Sequence, residues 1–230
     1  MEIISVDGWY LLLRWSHLLA GVTWIGLLYY FNFVQGEWFK ETDASAKTAA
    51  VQKLVPRALW WFRWSAMFTF LAGTLILISK GMKGWEIYAT SWGILILTGA
   101  TLGTLMFLNV WMIIWPAQQV VIASTNQVAE GGEALPDAAS SAAKAALASR
   151  TNTLFSIPML LFMGAASHFP VGVTEETSLS GLFWVLAIII GALEINGVIG
   201  KPGPMASVKG VIISGFVLTV VLFGVIGFLV

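Results

Sequence analysis

Apolar residues run along this chain in blocks rather than in alternation. Each block approaches the roughly 20 residues that a helix needs to cross a hydrocarbon layer about 30 Å thick. Membrane-barrel strands would alternate apolar and polar positions, which these segments do not. The pattern predicts helices over 9–34, 58–79, 91–115, 153–170, 179–199 and 208–230. The expected fold is all-α: a polytopic transmembrane bundle of about six helices, forming one domain over 1–230. Six crossings place both termini on one side. The polar stretch 124–149 is Ala- and Ser-rich and reads as an extramembrane helix interrupted at Gly131-Gly132.

Composition strengthens this reading. Hydrophobic residues make up 58% of the chain and charged residues 10%, against about 25% charged in a soluble domain. A water-soluble fold of this size has no interior large enough for that apolar surface. The lipid bilayer is therefore the first expected partner. Met1 to Gly8 carries Glu2 and Asp7 and no Lys or Arg, unlike the basic start of a cleavable signal, so the first helix is expected to be retained.

Charge sets the expected orientation. Lys40, Lys47, Lys53, Arg57, Arg63, Lys144, Arg150, Lys201 and Lys209 fall at the first, third and fifth connections. The other side holds Arg14, Lys80 and Lys83 beside Glu2, Asp7, Glu86, Glu175 and Glu176. Basic loops stay cytoplasmic, so both termini are expected on the outer side, periplasmic in a bacterial inner membrane. The chain has no Cys and zero formal net charge. The first removes disulfides and thiolate metal sites; the second leaves no basic face for nucleic acid.

Inside the expected helices the polar residues are few: Arg14, His17, Asn32, Asn109, His168, Glu194 and Asn196. Each is costly in lipid and needs a partner or a function. His17 and His168 are the whole histidine content, and antiparallel helices place both in the outer half. Two neutral imidazoles on facing helices can ligate haem iron from opposite sides. Gly21 and Gly164 lie one turn inward on the histidine faces, leaving room for a flat macrocycle. Arg14, one turn outward from His17, suits the propionates.

The competing reading makes the histidines interhelical hydrogen-bond partners, the glycines packing sites and Arg14 a snorkelling cation. Two histidines are too few for a zinc or copper site. The tryptophans, twelve in all, cluster near helix ends as interfacial anchors. Glu194 and Asn196 read as a hydrogen-bonded structural pair, with a proton entry as the alternative. Pro158 is expected to bend its helix.

Several stretches in order over residues 10–170 resemble the membrane domain of the bacterial membrane-bound, cytochrome c-coupled urate oxidases. They are Leu12-Leu13-Arg14-Trp15-Ser16-His17 with Ala20-Gly21-Val22-Thr23-Trp24-Ile25-Gly26; Trp61-Phe62-Arg63-Trp64; Leu102-Gly103-Thr104-Leu105-Met106 with Asn109-Val110 and Pro116-Ala117-Gln118; and Ile157-Pro158-Met159-Leu160 through Ser167-His168-Phe169-Pro170. The resemblance implies haem b and oxidoreductase chemistry.

The chain departs from that pattern where it has Trp60, Ser65 and Thr151 in place of ionisable residues, no His in the first loop and no Cys-x-x-Cys-His segment of a cytochrome c domain. The expected function is thus membrane-embedded electron transfer without urate chemistry, to a separate cytochrome c or within a larger complex. The alternative is a haem-free accessory subunit of a membrane complex. A small transporter fits less well, because paired broken helices and repeat symmetry are missing.

Overall fold

The computed structural model describes residues 5–174 and 177–230, so Glu2, Glu175 and Glu176 of the charge argument lie outside the described residues. Six long helices account for most of what is described: α1 Val6–Glu41, α2 Ala44–Gly81, α3 Ser91–Ala129, α4 Ala138–His168, α5 Leu179–Ile199 and α6 Val208–Leu229. Short 3-10 turns at Trp85–Ala89 and Gly203–Ala206 precede α3 and α6. All but α4 are long and apolar enough to cross a membrane, as an integral membrane protein requires.

Contacts between distant segments define the two ends of the bundle. At one end the Val171 amide donates to Ser91 Oγ at 2.7 Å, Thr177 Oγ1 donates to the Val230 carbonyl at 3.2 Å, and Lys80 and Lys83 lie over the Tyr10 ring. The start of α1 and the C-terminal Val230 belong to this terminal end. The opposite loop end carries the α1–α2, α3–α4 and α5–α6 connections.

Four helices outrun their predicted limits. The expected loop 35–57 is almost entirely helical, with a break only at Thr42 and Asp43. Hydropathy marks where a helix leaves lipid, not where it stops, and this segment is made of helix-compatible residues braced by the Glu37–Lys40 pair at 2.8 Å. At the break Asp43 caps α2: Ser45 Oγ and the Ala46 amide donate to its Oδ1 at 2.7 and 2.8 Å. Those bonds hold the Asp43 carboxyl below the ordinary aspartate range.

The cap therefore contributes at pH values above that range and is lost as pH falls through the lowered pKa. An NMR titration of Asp43 is expected to give a depressed midpoint; a raised one would refute the cap. Helix α3 likewise continues to Ala129, and α4 begins at Ala138 rather than 153. The expected interruption is present, with Gly131 at a φ of +89° that glycine adopts without strain.

Prolines explain two of three wide turns. The π-helical segments Ala50–Leu54 and Asn109–Ile114 are each followed, one residue later, by Pro56 and Pro116. Proline lacks an N–H and its ring collides with the preceding turn, and a widened turn accommodates both without ending the helix. The third, Tyr30–Gln35, precedes Gly36.

Helix α4 is the axis of the bundle, packed by α3, α5 and α6 along its length and by α1 at the loop end. This explains why it is not apolar enough to count as a span: its run Thr151, Asn152, Thr153, Phe155 and Ser156 is fully buried by protein. Gly197 lets α5 close on it, since an added Cβ would sit 2.6 Å from Thr151 Oγ1. On the other flank α1 lies along α2, and the core of Trp24, Leu28, Phe62, Leu102, Met106, Phe155 and Phe162 fills the space between helices.

Candidate functional site

The two imidazoles are each oriented by a backbone carbonyl. His17 packs against α2, its Nδ1 donating to the Thr69 carbonyl at 2.8 Å. The ring fits because residue 73 is glycine: a Cβ there would stand 2.9 Å from His17 Cε1. His168, in the last turn of α4, donates from Nδ1 to the Gly164 carbonyl at 2.9 Å. A carbonyl can only accept, so in its neutral form each ring carries its proton on Nδ1 and presents a lone pair at Nε2. This is the state in which histidine ligates a metal, its other nitrogen held by an outer partner.

Their surroundings differ. His168 is exposed and borders an apolar groove of about 510 Å³ formed by Leu160, Leu161, Gly164, Ala165, Phe169 and Phe223. A Cβ added to Gly164 would meet nothing within 4 Å, so the space beside this residue is open. His17 is half-buried against α2. Gly21 shares its face, but that face meets α2: the Gly21 Cβ position is 3.8 Å from Thr69 Cγ2. This glycine permits helix contact rather than leaving a void. Arg14 is exposed, without an ion pair among the described residues.

The groove beside His168 is lined by α4 and α6, and His17 is not among its lining residues. The side-chain bonds between α1 and α4 lie at the loop end, where Tyr29 Oη meets Ser156 Oγ at 2.9 Å and Asn32 Nδ2 donates to Ser149 Oγ at 2.8 Å. At the terminal end His17 faces α2, and the groove at His168 reaches α6 through Phe223. Tested against a haem group, the donor chemistry fits at both imidazoles and the open apolar space fits at His168. Among the described residues no three His, Asp or Glu side chains gather as a metal cluster.

A second polar constellation joins three helices in the loop-end half. Asn109 Nδ2 donates one hydrogen to Asn152 Oδ1 at 2.9 Å and the other to Glu194 Oε2 at 3.2 Å, while Asn152 Nδ2 donates to the Met106 carbonyl at 2.9 Å. The expected Glu194–Asn196 pair is corrected here. Residues two apart on a helix do not face each other, and Asn196 instead closes the turn after α5 through both its amide groups on Lys201.

Asn152 escaped the sequence reading because hydropathy set the helix start at 153. The polar run Thr151-Asn152-Thr153 followed by Ser156 was the available sign of a helix buried in protein.

A family model described as urate oxidase N-terminal matches residues 85–198, slightly less than half of the chain. No curated protein and no solved structure matches. The matched span takes in Asn109, Asn152, Gly164, His168 and Glu194 and leaves out Arg14, His17, Gly21 and the Trp61-Phe62-Arg63-Trp64 stretch. From the turn at Trp85–Ala89 to the end of α5, therefore, this chain is similar to the N-terminal region of urate oxidases.

Proposed function

We propose that the chain is a membrane-embedded b-type haem protein, urate-oxidase-like in its architecture, that carries electrons and has lost urate chemistry. His17 and His168 would hold the haem iron, Gly164 would leave room for the macrocycle, and Arg14, without an ion pair among the described residues, would pair with a propionate. The observation that carries this reading is the shared contact: both imidazoles place Nδ1 on a backbone carbonyl, and among the described residues neither Nε2 has a hydrogen-bond partner. Haem would supply one-electron chemistry, with its redox properties tuned by its ligands and their partners. The chain's own residues would hold it at the terminal end, against the apolar walls of the groove beside His168. By the basic-loop rule this end is periplasmic, within reach of a separate cytochrome c or of partner subunits in a membrane complex.

The three positions where the resemblance leads one to expect ionisable groups support the loss of urate chemistry. Ser65 is buried and donates to the Phe62 carbonyl at 3.1 Å; Thr151 donates to the Leu147 carbonyl at 3.1 Å; Trp60 is exposed. None of the three can hold or release a proton near neutral pH, as general acid–base catalysis would require.

The test is a reduced-minus-oxidised spectrum of the protein purified in mild detergent, repeated for His17→Ala and His168→Ala. A Soret band is expected in the wild type, lost or shifted in each variant. No band in the wild type would refute the proposal and leave the haem-free accessory subunit as the reading. A band unchanged in both variants would refute the ligand assignment. Urate turnover with an artificial acceptor is expected to be absent.

A further inference from the structure

We infer that Arg63 and the tryptophans around it form a binding site for the headgroup of an anionic phospholipid at the loop end of the bundle. Arg63 is half-buried on α2, its guanidinium 3.8 Å from the Trp115 ring, 4.9 Å from Trp111 and 5.4 Å from Trp64. Both neighbouring helices are tied by this stack, because Trp111 and Trp115 belong to α3 and the wide turn within it. Yet among the described residues the guanidinium has no hydrogen bond and no carboxylate. Its Nε and the adjacent Trp111 Nε1 are both enclosed donors without an acceptor. A cation within a membrane helix normally has a counter-charge, and this one finds none among the described residues.

Depth identifies where the counter-charge comes from. Arg63 precedes the end of α2 at Gly81 by 18 residues, about 27 Å at the helical rise. That is close to the roughly 30 Å hydrocarbon thickness. With Lys80 near one boundary, Arg63 is level with the headgroups of the other leaflet. Exposed Trp60 and Trp61 mark the same level. A guanidinium whose face is covered by indole keeps its edge for a planar, bidentate contact, which phosphate matches. Basic pockets between helices near the cytoplasmic surface take anionic headgroups for this reason.

The experiment is native mass spectrometry of the detergent-purified chain. It is titrated with phosphatidylglycerol and with phosphatidylcholine of the same acyl chains. Retention of phosphatidylglycerol is expected to be about fivefold stronger, the preference that one cation near an anionic headgroup supplies. Arg63→Gln is expected to abolish the preference. Arg57→Gln, which removes an exposed basic residue from the same helix, is expected to leave it intact. Millimolar inorganic phosphate is expected not to displace the lipid. Equal retention of the two lipids by the wild type would overturn the inference, whether or not the Arg63 variant folds. So would a preference that survives Arg63→Gln, one lost equally in Arg57→Gln, or displacement by free phosphate, which would mark a soluble-anion site.

Discussion

Replacing Asn152 by leucine is expected to destabilise the bundle by about 1–3 kcal/mol, the cost of stranding buried polar groups. For a chain of this length that corresponds to several degrees in melting temperature. Asn152 is fully buried and stands at the junction of three helices. Its Oδ1 takes a hydrogen from Asn109 and its Nδ2 reaches the Met106 carbonyl. Leucine has similar bulk but offers neither group. Asn109 would then be left with Glu194 alone, and the Met106 carbonyl would lose its contact from α4.

Interhelical hydrogen bonds in membrane proteins average about 0.6 kcal/mol and reach about 1.7. The loss of two at one fully enclosed residue therefore exceeds that of a single contact. A double-mutant cycle with Asn109→Ala measures the coupling directly, and about 0.5 kcal/mol or more is expected for residues in one network. Simple additivity, or a change in stability below that level for Asn152→Leu, would show that the network does not hold the helices together.

Gly73→Ala is the second large effect, and it links stability to the candidate site. The added methyl would lie 2.9 Å from His17 Cε1 and 3.1 Å from Nδ1. The imidazole cannot stay where it is and keep its 2.8 Å bond to the Thr69 carbonyl. Overpacking of this kind costs about 1–3 kcal/mol. The freed ring also loses the bond that fixes its tautomer, so the haem spectrum is expected to change as it does in His17→Ala. Gly21→Ala is the matched control. It lies on the same face of α1, one turn from His17, but its methyl would meet Thr69 Cγ2 at 3.8 Å, an ordinary contact. Thermal unfolding of the two variants side by side is decisive: a Gly21→Ala chain less stable than Gly73→Ala would contradict the packing described for α1 on α2.

Much of the fold was legible along the chain. The blocks at 179–199 and 208–230 coincide with α5 and α6 almost residue for residue. Where boundaries were misplaced, as in 35–57, a polar helix continues beyond the apolar stretch, and hydropathy is blind to that continuation. The candidate ligands His17 and His168 stood out because ionisable residues are rare in apolar blocks. Their surroundings did not: Gly73, which receives the His17 ring, is one of 23 glycines and carries no mark of its own. Asn152 was missed for a related reason. Its helix is polar because protein rather than lipid surrounds it.

The sequence by itself determined the class of fold, the number of long helices and the few polar groups that an apolar interior must accommodate. Those follow from the interaction of each segment with its solvent, which a single stretch of chain reveals. Only the tertiary structure decided that His17 faces α2, that Glu194 pairs with Asn109 rather than Asn196, and that α4 forms the axis. These depend on which distant segments meet. Their energies belong to pairs of side chains, and no periodicity within one helix records its neighbour.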